Sequence, residues 1–210
     1  MKKLGLIVNP IAGMGGSVGL KGTDGVAAEA ARLGAVRHSG DRAAAALKEL
    51  LPFGEEMTVL CASGEMGESL VKGLGFPHVE CVYETGAETT SDDTKRAAQA
   101  MKDADLLLFA GGDGTARDIF AALGDKAVAI GIPAGVKIHS PVYAIRPEAA
   151  GKLALKYLEG RCRHTYEAEV VDIDEAAYRD GRVSTSLYGY LTVPDERDYM
   201  QHGKAPSPVS

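Results

Sequence analysis

Apolar residues along the chain gather into short runs at 4–8, 57–61, 79–83, 105–110 and 127–132, which read as strands. Between them, residues 27–33, 41–51, 66–74, 92–102 and 115–123 carry the apolar spacing of amphipathic helices. Strands alternating with helices predict an α/β fold, a doubly wound and mostly parallel sheet with helices on both faces. Ligands in such folds sit at the carboxyl ends of the strands. Pro147 opens a last helix, expected to run to residue 159. The pattern then changes. Residues 166–172 and 183–193 read as strands joined through a turn at Asp180-Gly181, the start of a β-rich second part. From Asp195 onward the chain is polar and rich in Pro and Ser.

The run from residue 104 to 110 is too short to span a membrane and suits a strand buried on both faces. It leads into Gly111, Gly112, Asp113, Gly114 and Thr115, with Thr115 expected to cap the helix that follows. Glycines there let a ligand approach the backbone, and the free N–H groups at a helix start favour an anion. Asp113 is the odd member. Beside a polyphosphate it makes chemical sense if a cation screens it or if it accepts a proton from an attacking hydroxyl. The competing reading is a plain turn. The first strand ends in Asn9-Pro10 and runs into a second glycine loop with Gly13, Gly15, Gly16 and Ser17. That loop is either a further anion site or a simple strand-helix connection.

Together these residues resemble the superfamily of NAD kinases, diacylglycerol and sphingoid-base kinases and phosphofructokinases, whose nucleotide loop reads Gly-Gly-Asp-Gly-Thr. The match at 111–115 is complete. Segments 9–24, 64–67, 89–94, 111–118 and 130–140 are similar to a narrower branch, the ATP-NAD kinase family proteins that include one from acetoin-catabolism gene clusters. The resemblance implies transfer of a terminal phosphoryl group from ATP or another phosphoryl donor, with Mg²⁺ bridging phosphates, to a hydroxyl. Asp113 would take or orient the hydroxyl proton, and Gly111, Gly112, Gly114 and Thr115 would hold phosphates, with Asn9 and the second glycine loop holding others. NAD is the first-choice acceptor, a lipid or other small-molecule hydroxyl the alternative. A regulatory protein that binds nucleotide without turnover is a second class of reading. Sequence does not identify a protein ligand for the metal.

Further positions carry two readings each. Thr89, Thr90 and Asp92 can contact adenine or ribose, as the family segment implies, or cap the helix beginning near Asp92. Thr23 and Asp24 are divided between ligand contact and an N-cap. Lys137 and His139, after the fifth strand and close to Gly135, can touch phosphate or be an ordinary exposed Lys and a satisfied His. One departure concerns the acceptor: NAD kinases carry an Asn-Glu or Asn-Asp pair after the glycine motif, and none follows Thr115. Asp113→Asn is expected to leave folding nearly intact, and a side chain at Gly112 or Gly114 to obstruct a ligand or strain a positive-φ backbone.

The resemblance also implies a nucleotide-binding domain over residues 1–160 and part of a β-rich domain over 161–210, with the acceptor pocket between such domains and a neighbouring copy contributing. A homo-oligomer is therefore expected, as is continuation of the natural protein beyond Ser210, with this fragment phosphorylating NAD poorly. Composition removes other classes. A net charge of −6 argues against a nucleic-acid surface. Cys61, Cys81 and Cys162 lack the spacing of a disulfide framework or zinc site, so reduced thiols are expected. The apolar run after Met1-Lys2-Lys3 breaks at Asn9-Pro10, too early for a signal peptide, which points to the cytoplasm. No Walker loop occurs, and Val18 stands where the dinucleotide fingerprint begun by Gly13 and Gly15 needs its third glycine.

Overall fold

The computed structural model describes residues 1–20, 23, 25–135, 137–173 and 184–202. Five strands, β1 (Lys2–Val8), β2 (Met57–Ala62), β3 (Val79–Tyr83), β4 (Leu106–Gly111) and β5 (Ala129–Pro133), form one parallel sheet in the order β3-β2-β1-β4-β5. Every residue of β4 is buried, as a central strand requires when helices cover both its faces. The edge strand β3 has no fully buried residue.

Among the described residues the α-helices are α1 (Met14–Ser17), α2 (Ala27–Arg32), α3 (Ser39–Lys48), α4 (Glu68–Gly73), α5 (Ser91–Ala100), α6 (Asp113–Leu123) and α7 (Pro147–Leu158). Helices α3 and α7 pack on each other, and α5 packs on α6. Neighbouring residues of β1 show the two covered faces. Met101, just after α5, lies beside Gly5, whereas Gly67, at the start of α4, lies beside Leu6. Pro147 stands in the first turn of α7, as its fixed φ and missing N–H predict. The α/β expectation therefore holds, with α2 and α7 starting where expected and the starts of α3, α4, α5 and α6 displaced by one or two residues.

Two further strands, β6 (Thr165–Ile173) and β7 (Thr185–Pro194), pair antiparallel. Their buried residues Ala168, Val170, Leu191 and Val193 join the same core as the parallel sheet. Register moves from Val170↔Gly189 to Val171↔Leu187, so Tyr188 is an extra residue that bulges β7. The ring of Phe120 on α6 occupies the space where a side chain at Gly189 would start. The expected turn at Asp180-Gly181 and the tail beyond residue 202 lie outside the described residues.

All three cysteines are free thiols; Cys61 and Cys162 are buried and Cys81 is half-buried. Burial pushes the Cys61 thiol up to about 12, which keeps it protonated and unreactive. Among the described residues no helix is long and apolar enough to cross a membrane.

Candidate phosphotransfer site

In this strand order the chain leaves β1 toward β2 and leaves β4 toward β5, so a crevice opens between the carboxyl ends of β1 and β4. Asn9 follows β1 and Gly112 follows β4. The Asn9 amide nitrogen donates to Thr115 Oγ1 at 3.1 Å, and its Oδ1 accepts the Ile11 N–H at 3.2 Å. The Asn9 backbone N–H donates to the Ala110 carbonyl at 2.9 Å. Asn9 thus ties the first glycine loop to the second across the crevice.

Helix α6 begins at Asp113, with Gly112 as its N-cap in an extended conformation. Thr115 is therefore not the cap. It lies within the first turn, 3% exposed, and its hydroxyl receives the Asn9 hydrogen bond. A Cβ on Gly111 would stand 2.2 Å from Thr115 Oγ1, which explains a glycine there by close approach. Gly112 and Gly114 are neither positive-φ nor crowded, so the expectation of backbone strain fails at both. At Gly114 nothing beyond its chain neighbours and its own helix backbone lies within 4 Å of the place a Cβ would occupy, which leaves the helix start open on that side. The first N–H groups of α6 lack intrahelical acceptors and carry the positive end of the helix dipole.

Three turns meet here. Gly13 has a φ of 79°, and a side chain on it would strike the Ala134 carbonyl oxygen at 2.6 Å. Gly135 lies against Gly112, and the N–H groups of Ala134 and Gly135 both donate to the Gly111 carbonyl at 3.0 and 3.1 Å. The expected second glycine loop forms the one-turn helix α1 with Gly13 as its N-cap, where the Gly15 N–H donates to Thr23 Oγ1 at 3.0 Å and the Ser17 hydroxyl donates to the Met14 carbonyl at 2.7 Å. Thr23 thus closes the loop from within. Gly16 and Ser17 are exposed. Asp24 lies outside the described residues.

Asp113 is 7% exposed. Its Oδ2 accepts the His139 N–H at 2.8 Å and its Oδ1 accepts the Ser140 N–H at 2.9 Å. Burial pushes the carboxyl above the usual carboxylate range, against the pull of the hydrogen bonds from Ser140 and His139. Each oxygen keeps a second lone pair. The fully buried Tyr143 donates its hydroxyl to the Gly112 carbonyl and packs edge-on to Phe109, with centroids 5.4 Å apart. Burial holds its phenol well above the ordinary value, so it remains a donor.

Ser140 and Tyr143 escape sequence reasoning because nothing local marks them; their roles arise from where the segment after β5 folds back. His139 acts through its backbone, and Lys137 is exposed. Thr90 and Asp93 form a capping box at the start of α5, with the Thr90 N–H on Asp93 Oδ2 at 2.8 Å. The capping alternative therefore accounts for Thr90, while Thr89 is half-buried and Asp92 is exposed with Lys95 Nζ at 3.4 Å. All three follow edge strand β3, which β2 and β1 separate from β4.

Arg117 on α6 is another residue the sequence did not single out. Its Nη1 lies 3.2 Å from Asp172 Oδ2, and its guanidinium lies 5.2 Å from the ring centre of Tyr188, the bulged residue. An open depression of about 810 Å³ lined by Lys2, Phe53, Asp105, Leu158 and Arg161 occupies the opposite, amino edge of the sheet. It is remote from every glycine loop described above.

Solved structures similar to this chain include, from Bacillus anthracis str. Sterne, a provisionally named diacylglycerol kinase (TM-score 0.40, 18% identity, 82% of this chain and 45% of that one) and a diacylglycerol kinase (TM-score 0.39, 18% identity, 82% and 43%). The chain thus spans less than half the length of these proteins. No curated protein matches it. The family profile of the ATP-NAD kinase N-terminal domain matches residues 4–162, and the chain accordingly belongs to the ATP-NAD kinase family.

Proposed function

We propose that this chain carries the nucleotide site of an ATP-dependent phosphotransferase, with the 2'-hydroxyl of the adenosine ribose of NAD as first acceptor and NADP as product. The observation that carries the proposal is the placement of Asp113 at the start of α6, beside a switch-point crevice bordered by Asn9, Thr115 and the turns at Gly13, Gly112 and Gly135. Phosphates of the donor lie against the first N–H groups of α6 and the exposed Gly16-Ser17 segment. Asp113 accepts the acceptor's hydroxyl proton on an unused lone pair as the oxygen attacks the γ-phosphorus. The bond from that phosphorus to the bridging oxygen breaks, and ADP leaves. A carboxylate whose basicity is raised by burial is better suited to this than an exposed one.

Mg²⁺ is expected with the donor. Among the described residues no three His, Cys, Asp or Glu side chains converge, and both Asp113 oxygens already accept amide hydrogens. These residues do not form a protein-held cation site, so no step is assigned to the metal. Thr23, Gly135, Lys137 and His139 border the crevice as candidate donor contacts; Thr89 and Asp92 would contact the acceptor only if it reaches past β1 and β2. We take residues 1–160 as the nucleotide-binding unit and residue 161 onward as the start of a β-rich unit, in a cytoplasmic homo-oligomer.

The engagement of both Asp113 oxygens by backbone amides also supports a second reading, a nucleotide-binding protein without turnover. Titration with ATP, followed by γ-labelled ATP with NAD or diacylglycerol, separates the readings. Labelled NADP establishes the first. Labelled lipid moves the acceptor, and ATP binding without transfer to either establishes the second.

A further inference from the structure

Ser140 touches two parts of the molecule at once. Its N–H holds Asp113 Oδ1, while its hydroxyl donates to the Val171 carbonyl at 2.8 Å and accepts the Val171 N–H at 3.0 Å. Ser140 is fully buried and its bond to Asp113 with it, while the two bonds to Val171 are part-buried; losing any of them leaves a largely desolvated polar group without a partner. Val171 sits next to the bulge at Tyr188. Its N–H and C=O point to one side of β6, as those of any strand residue do, and Ser140 completes them in place of a neighbouring strand. The adjacent Asp172 is tied to α6 through Arg117, four residues beyond Asp113. Strand β6 is therefore attached to α6 twice, at Asp113 through Ser140 and at Arg117 through Asp172.

We propose that Ser140 is a positioning residue that makes the placement of Asp113 depend on the docking of β6. If β6 moves away, the hydroxyl bonds to Val171 are lost, and the 139–140 backbone that carries the Asp113 carboxylate is released with them. The functional consequence rests on the phosphotransferase reading; the mechanical coupling does not. Ser140→Ala removes the hydroxyl, and Ser140→Thr keeps it.

The test is ¹³C NMR titration of the Asp113 carboxyl carbon in the wild type and both variants, alongside kcat and KM for phosphoryl transfer. In Ser140→Ala the Asp113 carboxyl should titrate at higher pH, because without the hydroxyl tether to Val171 the Ser140 N–H is no longer held against the ionised carboxylate. Where transfer is active, kcat should fall roughly tenfold to a hundredfold with little change in KM for ATP. Ser140→Thr should restore the titration. An unchanged Asp113 titration in folded Ser140→Ala overturns the proposal. Amide hydrogen exchange of the wild type decides the matter without any variant: the Ser140 and Val171 amides should exchange as one unit, and independent exchange overturns it. If the wild type transfers no phosphate, the proposed function fails while titration and exchange still judge Ser140.

Discussion

Asn9 and Thr115 are 106 positions apart in sequence and meet at 3.1 Å through one side-chain hydrogen bond across the switch point of the sheet. The pair joins the end of β1 to the first turn of α6, with Thr115 almost fully buried and Asn9 half-buried.

Asn9→Ala should therefore destabilise the protein by about 1–2 kcal/mol, the cost of an unmade part-buried hydrogen bond together with the lost turn to Ile11. Urea unfolding gives the stability change. Nucleotide affinity should fall in the same variant; a change in neither quantity would remove Asn9 from the site.

Asp113→Asn carries a structural cost that the sequence did not foresee. Both carboxylate oxygens face backbone N–H groups, and an amide side chain would turn its NH₂ toward one of them. The expected loss is about 1–3 kcal/mol. Turnover should fall by about two to four orders of magnitude beyond what partial unfolding explains. A variant of full stability and full turnover would deny Asp113 both roles.

The pH dependence follows from the direction of the Asp113 shift. Burial raises its folded-state pKa above the unfolded value, so its contribution to stability is most favourable below the unfolded value and declines as pH rises through the folded one. This is the reverse of a carboxylate held down by an ion pair. Activity should show the opposite slope, with an acid limb above the usual carboxylate range, because the base works only when ionised. Measuring kcat/KM against pH tests this, and an acid limb within the ordinary Asp range would contradict it.

Two glycines of the motif should respond differently to alanine. Gly111→Ala drives a methyl into Thr115 and should cost about 1–3 kcal/mol. Gly114→Ala meets open space inside a helix and should stabilise it by about 0.5–1 kcal/mol. The same methyl group covers the helix start, so ATP affinity should nevertheless fall. Paired thermal melts and ATP titrations read both effects, and unaltered affinity in Gly114→Ala would place the phosphates elsewhere.

The sequence by itself determined the strand and helix alternation and the placement of Gly111 to Thr115 between a buried strand and a helix. Those features are local: the uninterrupted apolar run that became β4 and the glycines after it lie within a few residues of one another. Only the tertiary structure decided that Thr115 serves Asn9 instead of capping α6, that Ser140 and Tyr143 grip the motif, and that the Tyr188 bulge delivers its ring to Arg117. Each of these joins residues far apart in sequence, so it depends on strand order and on how a segment folds back. Local periodicity fixes which face of an element is buried. It leaves open which distant backbone amide will find a carboxylate there.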